Sequence, residues 1–152
     1  MHLELTRIME ILPASLRDLG SLRRLEQACF LTDAWPLLDL VAVLTWPEIV
    51  RLKAVEDGQL IGFIAADPRP SEHLSWIATL GVLPHHQRRG IGQALLRECE
   101  KRLTQPLIRL CVRASNESAI HLYQEEGYLS TDTWREYYSD KENALVMEKI
   151  RP

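Results

Sequence analysis

The chain has 152 residues, 46% hydrophobic and 26% charged, enough for one core of ordinary size; that excludes a disordered or fibrous chain. A net charge of −3 offers no whole-chain attraction to nucleic acid or to an anionic membrane. Three irregularly spaced cysteines (Cys29, Cys99 and Cys111) argue against a disulfide framework, and with neither a leader nor a span-length apolar run the chain reads as cytoplasmic.

Residues 3–11 are predicted as a first strand, closed by Pro13. Ser15 to Phe30 carries a helical stripe at Leu16, Leu19, Leu22, Leu25 and Cys29, and Leu37 to Leu44 reads as a second short helix with Asp39 on its wetter side. After Trp46-Pro47, Ile49 to Glu56 forms a strand, Asp57-Gly58 a two-residue hairpin turn, and Leu60 to Ala66 the returning strand. Pro68 to Ser71 is a loop. His73 to Val82 is a strand apolar enough to be covered on both faces. A helix after Gly90 places Ile91, Leu95, Cys99 and Leu103 on one face, and Leu107 to Val112 is the next strand. Ser115-Asn116 caps a further helix that turns Ala119, Ile120 and Tyr123 to one side and stops at Gly127. Two strands close the chain, from Tyr128 and through Ala144 to Ile150, around a loop at Ser139 to Glu142. The order β-αα-βββ-α-β-α-ββ has no linker or repeat, so residues 1–152 are read as a single domain of α+β or mixed α/β class.

Leu80 to Gln93 is the stretch that carries chemistry: an apolar strand, a turn closed by Pro84, and a basic loop opening a helix. Main-chain N–H groups are free at a helix start and the dipole there is positive, so Gln87, Arg88, Arg89, Gly90 and Gly92 form a candidate phosphate cradle. Leu95 stands where a dinucleotide fingerprint needs its third Gly or Ala, and no Gly-Lys-Ser/Thr follows, which removes two other phosphate-binding loops. Five histidines show no ligand spacing, so no metal site is expected.

The pattern Gln/Arg-x-x-Gly-x-Gly/Ala after a strand resembles the acetyl-CoA loop of the GCN5-related N-acetyltransferases (the GNAT superfamily). Trp76 to Val82, Ser115 to Tyr128, Cys29 to Trp35, and Tyr137-Tyr138 with Asn143 to Met147 are similar to the protein N-terminal acetyltransferases, most of all the ribosomal-protein alanine type. The resemblance implies the GNAT fold, a single mixed, mostly antiparallel sheet of about six to seven strands flanked by four helices. It also implies transfer of acetyl from acetyl-CoA to a primary amine, by direct attack on the thioester. The pantetheine arm would lie along Leu80, Gly81 and Val82, and the pyrophosphate on the loop, where the resemblance adds Ile91 and Gln93 as cofactor contacts. Asn116 would reach the pantetheine or serve as a plain helix cap, and a backbone amide near Leu80 would stabilise the oxyanion. Tyr123 matches the family's general acid, against a plainer role as a core tyrosine. Phe30, Tyr137 and Tyr138 are candidates for the acceptor side.

Cys111 departs from the family pattern, standing where relatives carry a Glu or His base; Trp76 likewise replaces a tyrosine. A base would then be absent, work through water, or come from His73, Glu72 or His121. An α-amine of pKa about 7.8 is roughly a third neutral near pH 7.4, whereas lysine at about 10.4 is neutral about one part in a thousand, a difference of about 3.5 kcal/mol. A site with a weak base therefore favours a protein or peptide N-terminus over lysine. A small-molecule amine (polyamine, amino acid, aminoglycoside) and a catalytically weak acetyl-CoA sensor are the alternatives.

Overall fold

A computed structural model describes residues 8–152. Among these, seven strands form one sheet in the order β1-β2-β3-β4-β5-β7-β6: β1 (Met9–Pro13), β2 (Val50–Glu56), β3 (Gln59–Arg69), β4 (Leu74–Val82), β5 (Leu107–Arg113), β6 (Leu129–Trp134) and β7 (Ala144–Ile150). Every neighbouring pair is antiparallel except β4 and β5. Helices α1 (Leu19–Cys29) and α2 (Leu37–Thr45) cover one face, where Leu22, Leu25, Leu40 and Val43 pack on Phe63 and Ala65. Helices α3 (Ile91–Lys101) and α4 (Glu117–Glu125) belong to the other, where Leu95, Leu96, Cys99 and Tyr123 meet Ile64, Ala66 and Ile108. Successive β3 residues thus feed opposite cores, the reason this strand reads as an unbroken apolar run.

Most expected elements lie where their patterns put them, and the differences have local causes. Residues 3–7 of the expected first strand lie outside the described residues; the remainder pairs as β1 and includes Pro13. The first helix opens instead as a single 3-10 turn, Leu16–Asp18, because Asp18 folds back onto the Ser15 N–H (2.9 Å) and binds Lys53 (2.8 Å). Leu16 is consequently exposed and leaves the stripe. β3 runs on through Pro68, expected as loop. Its partner β2 ends opposite Ala66, so the missing proline N–H costs no ladder bond on that side. His73 takes a left-handed conformation (φ 57°), and β4 begins one residue later.

The feature that creates a site is a split in the sheet. β4 and β5 pair only over Leu74–Trp76 and Leu107–Arg109. At the next step Ala78 bulges out of the β3–β4 ladder, where Ala65 faces Thr79 and Ala66 faces Ile77. A bulge bends its strand. β4 thereafter stays on β3 while β5 follows β7 as far as Arg113, and the residues up to Val82 are left without a neighbour on that side.

Candidate active site

The open wedge between β4 and β5 contains two cavities that meet. The larger, about 530 Å³, runs from Leu80–Val82 to the head of α3 and along α4; the smaller, about 160 Å³, lies between α1, the ends of β4 and β5, and the β6–β7 hairpin. Phe30, Leu80, Asn116, Ala119 and Tyr123 line both, so they form the junction.

At the head of α3 the chain is built to leave donors free. Arg88 and Gly90 are left-handed (φ 62° and 79°), and Gly90 is the helix N-cap. Alternation of hand is how a chain gathers successive N–H groups around an anion, and glycine adopts it without strain. The first intrahelical bond is Ala94 N–H to Gly90 (3.0 Å), and the N–H groups of Arg88 through Gln93 have no protein partner among the described residues. Of the cofactor contacts expected on this loop, Gln87, Arg88, Gly90, Ile91, Gly92 and Gln93 border the larger cavity. Arg89 does not. Its guanidinium is bound to buried Glu56 (Nη1–Oε1 3.1 Å), which leaves only its main chain for the loop.

Leu80, Gly81 and Val82 form the wall between α1 and the cavity. Gly81 is required by close approach: a Cβ there would lie 3.0 Å from Leu25 and 3.3 Å from Phe30. The Val82 carbonyl accepts from the Cys29 thiol (3.2 Å) and the Gln87 side-chain amide (3.0 Å). Gln87 therefore contributes a side chain to the β4 edge, a role its place in the phosphate loop did not suggest.

Asn116 is a helix cap that also borders the cavities: its Oδ1 accepts from the Ala119 N–H (3.2 Å) at the start of α4, and the residue lines both. Tyr123 is buried, stacks edge-on against Tyr128 at 5.8 Å, and its hydroxyl has no partner among the described residues. Burial, with neighbouring Tyr138 a smaller cause, pushes its pKa well above the phenol range. The group stays protonated.

Of the residues expected on the acceptor side, Phe30 and Tyr138 line the smaller cavity, whereas Tyr137 lines neither; it is half exposed and packs on Tyr138 at 5.0 Å. Trp76 lies in the paired part of β4, 6.0 Å from Trp134, away from both cavities. Cys111 does line the smaller cavity, but burial raises its pKa and keeps the thiol neutral. The other base candidates are misplaced. His73 and Glu72 are exposed at the opposite end of β4, about 20 Å along the strand from Leu80. His121 borders the larger cavity but not the smaller one, and it is exposed and paired with Glu125 (2.8 Å).

Two residues were missed in the sequence. Arg113 lines the smaller cavity, holds Asp33 by two bonds (2.6 and 2.7 Å) and Asp140 by two more (3.0 and 2.9 Å), and lies 4.2 Å over the Tyr138 ring. It thereby joins the loop after α1 to the β6–β7 hairpin. Glu26 lines the same cavity, nearly inaccessible at 1% exposure. The signal for Glu26 was present: Leu22, Leu25, Glu26 and Cys29 share a helical face, so a carboxylate sits in an otherwise apolar stripe. Arg113 had none, since both acids that hold it are distant in sequence.

The profile of the Acetyltransferase (GNAT) family matches residues 19–128. The catalytic subunit NAA10 of the N-terminal acetyltransferase A complex of Arabidopsis thaliana is 27% identical over 143 residues, 90% of this chain and 74% of that protein. The N-alpha-acetyltransferase RimI of Mycobacterium tuberculosis is 32% identical over 108 residues, 70% of this chain and 68% of that one. Among solved structures, the ribosomal-protein-S18-alanine N-acetyltransferase of Escherichia coli superposes with a TM-score of 0.84 at 26% identity, covering 95% of this chain and 96% of its own. Arabidopsis NAA60 in complex with acetyl-CoA has the same fold, with a TM-score of 0.83 at 23% identity.

Proposed function

The chain belongs to the GNAT acetyltransferase family, and from that premise we propose that it transfers acetyl from acetyl-CoA to the α-amine of a protein or peptide N-terminus. The observation that carries this reading is the meeting of the two cavities at Leu80, Asn116 and Tyr123. One side offers unpartnered N–H groups suited to a pyrophosphate; the other is small and mostly apolar, with one buried carboxylate. Arg88 through Gln93 would hold the phosphates, the free edge of β4 the pantetheine arm, and a main-chain amide near Leu80 the oxyanion. The single domain 1–152 would act in the cytoplasm, consistent with three free cysteines. Among the described residues no helix is long and apolar enough to cross a membrane.

Tyr123 would act on the departing sulfur. Even an unshifted phenol at about 10 is a weaker acid than a thiol at about 8.5, so complete proton transfer to the thiolate is roughly 2 kcal/mol uphill, and burial makes it steeper. Its role is therefore to donate a hydrogen bond as negative charge builds on sulfur. Direct transfer needs no acyl-cysteine, and the neutral Cys111 thiol fits that.

The test is a kinetic panel with acetyl-CoA and three acceptor classes: peptides of varied first residue, N-blocked peptides with one lysine, and polyamines. Free N-termini should turn over at least tenfold faster in kcat/KM. Faster acetylation of lysine or a polyamine would overturn the acceptor assignment. Acetyl-CoA binding without turnover of any amine would identify a sensor instead.

A further inference from the structure

We propose that Glu26, on the first helix, is the residue that receives the acceptor amine: its carboxylate pairs with the incoming ammonium and takes its proton. This rests on the acetyl-transfer reading above and names the group that readies the nucleophile.

The geometry is specific. Glu26 projects from the inner face of α1 into the smaller cavity, where Oε1 accepts from the Thr79 hydroxyl (3.1 Å) on the unpaired part of β4. Oε2 is buried and receives no hydrogen bond of ordinary geometry, although the Trp35 main chain lies near the carboxylate. A buried carboxylate oxygen without a donor is costly, and such atoms are rare unless something else fills the place. The helix stripe would accept a leucine there, so packing does not ask for a carboxylate. Thr79 adjoins Leu80, which lines both cavities, so the carboxylate that Thr79 holds lies beside the junction.

The other titratable and charged groups around this cavity are already engaged or neutral. Asp33 and Arg113 bind each other (2.6 Å). Cys29 and Tyr138 are pushed up to about 11 and about 12 by burial, and Cys111 and Tyr123 are raised too. Glu26 itself is raised by burial, against the opposing influence of the Thr79 hydroxyl and the Trp35 main chain. A carboxyl moved up from its usual range is better matched to taking a proton near neutrality.

The step balances with two protons. Oε2 takes one from the ammonium and later releases it to water. The neutral nitrogen forms its bond to the thioester carbon, and the carbon–sulfur bond breaks toward sulfur. The second nitrogen proton, lost as the amide forms, reaches the CoA sulfur, whose developing charge Tyr123 stabilises. Free CoA thiol and an N-acetyl amide are the products.

The experiment compares wild type, Glu26→Gln and Glu26→Asp on two acceptors: an amine-terminated peptide, and the same peptide ending in an acyl hydrazide, whose nitrogen is already neutral at pH 7. At pH 6, where an α-amine of pKa about 7.8 is almost wholly charged, Glu26→Gln should lose more than tenfold in kcat on the amine but less than threefold on the hydrazide. Glu26→Asp should recover part of the amine rate. An amine rate within threefold of wild type, or equal losses on both acceptors, would overturn the proposal. Peptide affinity for the CoA-saturated protein reads the same contact without turnover. At least tenfold weaker binding in Glu26→Gln supports it, and unchanged affinity contradicts it. A wild type that turns over no amine would instead sink the acetyl-transfer reading, with this binding measurement still deciding the contact.

Discussion

Tyr123 and Glu26 both line the smaller cavity, and burial raises the pKa of each to a different end. Burial holds the Tyr123 phenol protonated, so its contribution is one hydrogen bond to a charged atom, about 1.5–3 kcal/mol. Tyr123→Phe should therefore lower kcat by about 10- to 150-fold with acetyl-CoA affinity unchanged, measured by steady-state kinetics and calorimetry. For Glu26 the folded-state pKa lies above the unfolded one. The folded protein then binds the proton more tightly, and this group's contribution to stability falls as pH rises from the ordinary carboxylate value through the folded one. Glu26→Gln should accordingly melt at a higher temperature than wild type at pH 7.5, and the gap should close as pH approaches 4.5. A lower melting temperature at neutral pH would mean that the carboxylate supports the fold. Tyr123 was legible because its surroundings, Ser115 to Tyr128, form a continuous motif. Glu26 is not legible in that way, because its stripe is otherwise apolar and its burial depends on Thr79, on a strand distant in sequence.

Among the elements, the head of α3 and the Arg113 clamp decide what each cavity can hold. Gly90 occupies a left-handed position where a Cβ would be strained, although the space around it is open. Gly90→Ala should cost about 1–2 kcal/mol through that strain and raise KM for acetyl-CoA several-fold, with peptide KM little changed. Arg113 joins three separate segments, and an interlocked set of charges restrains them better than an isolated surface pair does. Arg113→Ala should free the loop at Thr32–Asp33 and the hairpin at Tyr138–Asp140, raising peptide KM by tenfold or more while acetyl-CoA affinity stays within twofold. A uniform loss of both affinities would indicate general destabilisation instead. The helices and the Asp57-Gly58 turn were readable from local pattern, since 3.6-residue periodicity and positive-φ turns are properties of neighbours in the chain. The bulge at Ala78, which opens the site, left no such mark: it is a mismatch of register between two strands.

Across the whole molecule, one sheet supports two cores and is parted at one place. The cores are extensive enough to hold the parted strands in position: Leu95 and Leu96 are fully buried against β3, and the Tyr128 hydroxyl bonds Glu100 (2.8 Å), itself paired with Lys149 (3.0 Å). Rigid walls of this kind let the wedge between β4 and β5 keep its shape when empty, as preorganised catalysis requires. Whether acetyl goes to an α-amine is read from where it lands on a peptide that offers two amines. A peptide bearing both a free N-terminus and an internal lysine is incubated with the protein and acetyl-CoA, and the acetyl group is located by fragmentation mass spectrometry. Acetyl is expected on the α-amine, with the lysine unmodified. Acetyl on the lysine, with the N-terminus free, would contradict α-amine transfer.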